Sequence, residues 1–426
     1  MAVQAQGKPP PAPPPRVGGA AAVARRAAER IAGGALLDLP LRVRFWDGSE
    51  LRAQTGAELA TLKVHSPAAL AYLLHAPSNQ LGLARAWATG DLDVEGELED
   101  VVALRDRVDA IGLTAQDRIR LMCLALRLAG PSALLSPPVP ATEARPRGRR
   151  HSFGRDRRAI GHHYDISNRF YELLLGPTLV YSAAAFAGDD ESLESAQERK
   201  LESICTKLHI RPGERLLDIG CGWGSLLLHA ARHHGARGVG ITLSEPQADL
   251  ARRRVRESGL SDQVEIRIAD YRTVSDGPFD KIDSIGMYEH VGLANYVSYA
   301  RKVRSLLRDD GLFLNDGIAR LFSDTPRRPT FISRYVFPDG ELHPLAALVR
   351  SLERAGLEPR AVSSTREHYA RTLRAWYRNL QNHCVAAEAE IGPGRLRVWQ
   401  LYIVASAVGF DDAEISNYQV LAERSV

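Results

Sequence analysis

The sequence predicts an α/β fold, a doubly wound and mostly parallel sheet preceded by a smaller N-terminal α+β domain. Three observations predict it. Leu216 and Leu217 read as the end of a buried strand, the stretch Asp218-Ile219-Gly220-Cys221-Gly222-Trp223-Gly224 as a tight turn, and Leu226 to Ala231 as the start of a helix. Gly238 to Ser244 then reads as a second strand, followed by a helix from Glu245 to Gly259, which completes the βαβ unit that the turn requires. Further apolar strands alternate with helical stretches after it, the pattern of a parallel sheet with helices on its faces.

Taken in order, residues 1–35 read as a disordered or partly helical N-terminus. The first twenty or so are rich in Pro, Gly and Ala, and Ala21 to Leu37 suits a short helix. A small domain spans 36–130. Leu41 to Phe45 alternates like a strand and meets a turn at Asp47-Gly48, while Arg85 to Leu104 is helical at its ends with a break at Gly90-Asp91. Residues 131–158 read as a Pro- and Arg-rich linker, clearest from Pro137 to Arg158. The main domain spans 159–426. Its third strand, Val264 to Ile268, runs into Asp270 and Tyr271. A fourth strand, Lys281 to Ile285, leads into Gly286-Met287-Tyr288-Glu289-His290-Val291-Gly292. A helix from Tyr296 to Leu307 precedes the fifth strand, Gly311 to Asp316.

Composition limits the function classes. With 426 residues the chain can hold two domains, and 45% apolar with 25% charged residues fits a globular protein. There is no run of about eighteen apolar residues to span a membrane, and the start, Met1-Ala2-Val3-Gln4-Ala5-Gln6, is no secretory signal. Four cysteines (Cys123, Cys205, Cys221, Cys384) without CxxC spacing argue for a reducing cytoplasm and against a structural metal site. The net charge of +4 is uneven, with an arginine cluster between Arg145 and Arg158. That cluster reads either as a solvated linker or as a patch for an anionic membrane surface. Without interleaved aromatics it does not read as a nucleic-acid site.

The glycine turn lets a nucleotide-like ligand approach bare backbone at the end of a strand. Its spacing is Gly-x-Gly-x-Gly, short of the dinucleotide fingerprint, and Asp218 would repel a pyrophosphate but suit a zwitterionic amino-acid ligand. This points to S-adenosyl-L-methionine and a class I, Rossmann-like methyltransferase fold. Asp218, Gly220, Cys221 and Gly222 are then candidates for the methionine part, with Tyr164, Tyr181 and Ser182 beside it. The second strand ends in Thr242 rather than an acid, so Ser244 or Gln247 would hold the ribose. Asp270 and Tyr271 would bind and stack on the adenine.

Several motifs occur in order across residues 159–410. They are Ile160 to Asn168 (IGHHYDISN), Tyr181-Ser182, the glycine turn, Thr242-Leu243-Ser244 with Gln247, Tyr288 to Gly292 (YEHVG), Tyr335 to Gly340 (YVFPDG) and His368 to Leu373 (HYARTL). With them the chain resembles the cyclopropane-fatty-acyl-phospholipid synthase family, which includes the mycolic-acid methyltransferases. Residues 40–125 more weakly resemble the smaller N-terminal domain of the long synthases.

The resemblance implies methyl transfer to the cis double bond of an unsaturated phospholipid acyl chain, through a carbocation and a base. In the family a bicarbonate ion, held by Cys, Glu, His, an Ile backbone and Tyr, is thought to serve as base. Here Glu289, Ile318 and Tyr369 match, but the Cys position is Ala183 and the His position is Asp316, so the bicarbonate site is only partly present. His290, next to Glu289, joins the catalytic candidates. Asp316 would repel bicarbonate, be protonated, or replace it as base. If proton removal is late, a 1,2-hydride shift intervenes and the product is a methylene chain, the precursor of a methyl branch. A separate flavin- or NADPH-dependent reductase would complete it. The alternatives are a cyclopropane product and an inactive lipid-binding relative. The chain is expected in the cytoplasm, peripheral on the inner face of the membrane and with a homodimer open, with no nucleic-acid partner and no metal.

Overall fold

The computed structural model describes residues 19–54, 56–111, 114–321 and 329–425, so the disorder expected before about residue 20 falls almost wholly outside the described residues. The chain divides into two compact units, one up to Pro140 and one from Ala141.

The first unit holds helix α1 (Ala20–Ala28) and a four-stranded sheet in the order β2-β1-β3-β4, made of β1 (Leu41–Arg44), β2 (Glu50–Leu51), β3 (Ala60–Val64) and β4 (Leu92–Glu95). Helices α2 (Ala68–His75), α3 (Asn79–Thr89), α4 (Leu98–Ala103), α5 (Arg105–Ala110) and α6 (Ala115–Ala129) complete it. The expected helix from Ala21 to Leu37 ends at Ala28, and a 3₁₀ segment from Ala32 to Asp38 follows, with Gly33 and Gly34 at φ of 65° and 91° inside it. Ala20, Ala21 and Ala24 pack with Phe45, Val64 and Tyr72, so α1 belongs to this core. The Gly90-Asp91 break hides β4, whose polar residues concealed it, and β3 had no sequence signal either.

The second unit is a seven-stranded sheet in the order β10-β11-β9-β8-β5-β6-β7. Strands β5 (Arg215–Ile219), β6 (Arg237–Thr242), β7 (Val264–Ile268), β8 (Phe279–Ile285) and β9 (Leu307–Arg320) are parallel to one another, as expected. Strands β10 (Leu357–Ser364) and β11 (Ile415–Arg424) extend the sheet, with β11 antiparallel to both β9 and β10. Before the sheet come α7 (Phe153–Tyr164), α8 (Asn168–Leu175) and α9 (Leu193–Lys207). Within and after it come α10 (Ser225–His234), α11 (Glu245–Glu257), α12 (Tyr296–Leu306), α13 (Leu345–Arg354), α14 (Arg366–Asn382), α15 (Cys384–Ile391) and α16 (Pro393–Asp411).

The sheet is wound on both faces. Leu217, Ile219, Ile282 and Phe313 pack with Tyr299, Val303 and Leu352 from α12 and α13. Leu216, Val264, Ile266 and Leu314 pack with Ile204, Leu227 and Ala251 from α9, α10 and α11. Alternate residues of one strand therefore serve opposite layers.

The stretch expected as a linker over 131–158 is partly built into the second unit. The Ala144 amide donates to the Arg334 carbonyl at 2.7 Å, and α7 starts at Phe153. Arg155 donates to Asp339 at 2.6 Å, and Arg150 lies 3.4 Å from Asp339 and 3.2 Å from Glu341. The other arginines of the cluster (Arg145, Arg147, Arg149, Arg157 and Arg158) are exposed.

Candidate active site

A cavity opens where β5, β6, β7 and β8 end, at the carboxyl edge where doubly wound sheets bind ligands. β5 ends in the glycine turn, which is pinned to β6 because the amides of Gly220 and Cys221 both donate to the Ile241 carbonyl at 3.0 Å. Gly220 and Gly222 have φ of 92° and 51°, and a Cβ at Gly222 would meet nothing within 4 Å. Bare backbone therefore faces open space there, and α10 begins just beyond it.

Tyr164, Tyr181, Ser182, Asp218, Gly220, Cys221, Gly222, Thr242, Gln247, Asp270, Tyr271 and His290 all line this cavity. Ser244 does not. It is fully buried, caps α11 by accepting from the Gln247 amide at 3.3 Å, and donates to Asp165 at 2.6 Å. Of the two ribose candidates only Gln247 is in place, with the Thr242 hydroxyl donating to its Oε1 at 2.9 Å.

Asp218 has a partner that the sequence reading missed. Asp283 sits opposite it in the β5–β8 register. Burial pushes Asp218 up to about 6 and Asp283 well above the carboxylate range, Asp283 further because of Asp218 beside it. Both Asp283 oxygens are buried without a hydrogen-bond partner, and burial beside a second carboxyl disfavours their charged form. Lys200 of α9 supplies the nearby positive charge. It is buried and donates to the Ser182 hydroxyl at 2.9 Å. Nothing in the mixed sequence of β8 singled out Asp283. Lys200, on a polar helix, had no signal either.

Asp270 caps the short turn Tyr271–Thr273, and Arg272 donates to its Oδ1 at 2.8 Å and its Oδ2 at 2.5 Å. Asp156 of α7 holds the same guanidinium at 2.9 Å, and the Phe153 ring lies 4.0 Å from it. An adenine amino group would thus share Asp270 with Arg272, which the sequence reading also missed. The open glycine backbone, Asp218, Gln247 and Asp270 with Tyr271 fit S-adenosylmethionine.

The other catalytic candidates lie outside the lining of this cavity. Glu289, on a short turn after β8, accepts from the Ile318 amide of β9 at 2.7 Å through Oε1. Its Oε2 is buried without a partner. Burial pushes its carboxyl up to about 7, and Tyr164, Tyr369 and Tyr402 are within electrostatic reach. Gly317 makes the approach possible, since a Cβ there would sit 2.2 Å from the Tyr288 ring and 3.1 Å from Glu289 Oε1. Burial also lowers His290 to about 4, so its imidazole is neutral at pH 7.

Asp316 is not free. Its Oδ1 accepts from the Asn417 amide group at 2.7 Å and its Oδ2 from that of Gln419 at 2.8 Å. Lys207 donates to Gln419 Oε1 at 2.5 Å, which turns the Gln419 NH₂ toward Asp316. Both Asp316 oxygens therefore have amide donors from β11. Tyr369 stacks on Phe410 with centroids 4.6 Å apart. Bicarbonate does not fit these residues. An anion would face the Glu289 and Asp316 carboxyls with no thiol at the buried Ala183, and the Ile318 amide is already given to Glu289.

Residues 151–420 match the family described as mycolic acid cyclopropane synthetase, and residues 34–109 match a domain of unknown function. A probable fatty acid methyltransferase of Mycobacterium tuberculosis is 42% identical over 397 residues, which cover 90% of this chain and 91% of that protein. A probable fatty acid methyltransferase of Pseudomonas putida is 38% identical over 393 residues, covering 91% and 92%. Among solved structures, the cyclopropane synthase MmaA2 from Mycobacterium tuberculosis is 29% identical with a TM-score of 0.59, covering 63% of this chain and 98% of its own. The mycolic acid cyclopropane synthase CmaA1, complexed with SAH and CTAB, is 30% identical with the same TM-score of 0.59 and the same coverage of 63% and 98%. The family match spans the unit that carries the cavity and the Glu289 turn: the chain belongs to the mycolic acid cyclopropane synthetase family and is an S-adenosylmethionine-dependent methyltransferase.

Proposed function

We propose that the chain methylates the cis double bond of an unsaturated phospholipid acyl chain and releases a methylene fatty acyl chain. The observation that carries this reading is the buried Glu289, one oxygen fixed by Ile318 and the other unpartnered, in a setting without the family's Cys and His. The relatives named fatty acid methyltransferase and cyclopropane synthase support an acyl substrate.

S-adenosylmethionine, when bound, supplies an electrophilic methyl group. Asp218, Gln247, and Asp270 with Tyr271 would hold it against the glycine turn. Tyr164 and Tyr181, packed among His163, Trp399 and Tyr402, exclude water and offer aromatic faces to a cation. The methyl bonds to one alkene carbon and leaves the cation on its neighbour. A hydride shift then moves the charge to the methyl-bearing carbon. Glu289 Oε2 takes a proton from the methyl, and the electron pair left behind forms the exocyclic double bond. A carboxyl near 7 is only partly ionised at neutral pH, and in the fraction that is protonated when the cation forms the shift precedes proton removal.

The substrate is reached by peripheral docking on an anionic membrane surface, through Arg145, Arg147, Arg149, Arg157 and Arg158. Arg150 and Arg155 are committed to Asp339 and Glu341. No described helix is long and apolar enough to cross a membrane. A flavin- or NADPH-dependent reductase would then consume the product. Methylene and cyclopropane chains are isomers, so the test is proton NMR of lipids from cells that express the chain without a reductase. Vinylidene signals are expected, and ring protons alone would refute the methylene reading.

A further inference from the structure

We propose that Cys205, His229, His234 and Glu202 form a site for a divalent transition-metal ion, Zn²⁺ by its ligand chemistry, on the outer layer of the second unit. Cys205 and Glu202 lie three residues apart on α9, and His229 and His234 lie on the last turns of α10. Ligand atoms of Cys205, His229 and His234 all fall within 4.8 Å of one another. Both ring Nε2 atoms also converge on one oxygen, Glu202 Oε2, at 2.9 Å from His229 and 3.0 Å from His234.

The donor set is the one zinc takes, with thiolate, imidazole and carboxylate around one ion. In a tetrahedral zinc site, adjacent nitrogen or oxygen ligands stand about 3.3 Å apart, and sulfur about 3.6 Å from nitrogen. The nitrogen–oxygen separations in this cluster fall just inside that, and the Cys205 sulfur lies within 4.8 Å of both imidazoles. The surroundings hold the ligands in place. The Thr206 hydroxyl donates to the other oxygen, Glu202 Oε1, at 3.2 Å, and Cys205 is fully buried in the α9–α10 core. Binding releases the thiol proton to solvent, a neutral imidazole that binds through Nε2 keeps its proton on Nδ1, and no electron transfer is involved.

The site lies outside the cofactor cavity but joins the two helices that frame it. α9 carries Lys200, and α10 starts at the glycine turn. An ion here would brace that pair. The sequence showed no metal motif because the ligands come from two helices and have neither CxxC nor HxxxH spacing.

The test uses the untagged full chain, freed of metal by dialysis against chelator. Titration with Zn²⁺ by calorimetry should give one ion per chain, and Co²⁺ should give a thiolate-to-cobalt charge-transfer band. Cys205→Ser should abolish the band, and His229→Gln with His234→Gln should weaken Zn²⁺ binding by at least about 100-fold. His233→Ala, next to the cluster but outside it, should bind as wild type does. Circular dichroism confirms that each variant folds. Zn²⁺ binding below one equivalent, equal binding in the double variant, or a cobalt spectrum without the thiolate band would each overturn the site.

Discussion

Glu289 carries a pH-dependent cost that one substitution removes. Its carboxyl is raised from an ordinary 4.5 to about 7 by burial, and its Oε2 has no donor. The folded state therefore prefers the protonated acid. The stability tied to that acid is fully present below pH 4.5 and is lost as the pH rises through 7. Each pH unit between the two values is worth about 1.4 kcal/mol, so about 3 kcal/mol is withheld above pH 7. Glu289→Gln keeps the acceptor for the Ile318 amide and never ionises. Its NH₂ group lacks a partner, which costs back about 1 kcal/mol. The variant should be about 2 kcal/mol more stable than wild type at pH 8 and about equal to it at pH 5, while losing most methyl transfer. Urea denaturation of both proteins at the two pH values measures this. The same stability difference at both would refute a buried Glu289 that ionises with difficulty, and with it a base that is partly protonated at neutral pH.

Three further outcomes are expected. Gly220→Val puts a β-branched side chain at φ 92°, with its Cβ 3.4 Å from Met287, and should abolish S-adenosylmethionine binding by calorimetry while the protein stays folded. Lys200→Met leaves the Asp218–Asp283 pair without its cation. It should destabilise the protein by about 3–5 kcal/mol in denaturant titration, and unchanged stability would show that the lysine does not compensate those acids. Ala183→Cys with Asp316→His restores the family's residues and should move product from methylene toward cyclopropane, read by NMR of extracted lipid. An unchanged product ratio would remove these two positions from control of the outcome.

The glycine turn and strands β5 to β9 were legible because apolar runs, glycines and helical spacing all agree there. Strand β10 was hidden because most of its residues are exposed and Pro359 marks a bulge in its pairing. Strand β11 was hidden because its polar residues face a polar cluster rather than solvent, so alternation failed as a signal. Most cavity residues could be named from motifs, since they sit on strand ends. What could not be read were the partners that decide their state. Asp283 beside Asp218, Arg272 on Asp270, and Asn417 with Gln419 on Asp316 are cross-strand or side-chain pairings that need the sheet order. Ser244 shows the converse, a motif residue taken up by a helix cap.

Strand β11 has a consequence for how the protein is made. It comes after every other strand of its sheet in the chain, yet it lies between β9 and β10. A ribosome that has delivered everything through β10 has therefore delivered a sheet with a gap, and β9 and β10 each present an unpaired edge. Asp316 waits as well, because Asn417 and Gln419 arrive only with that last strand. The half of the sheet that grips the cofactor can be assembled early in translation. The hydrogen bonds that fix Asp316 are finished only after β11 has cleared the exit tunnel.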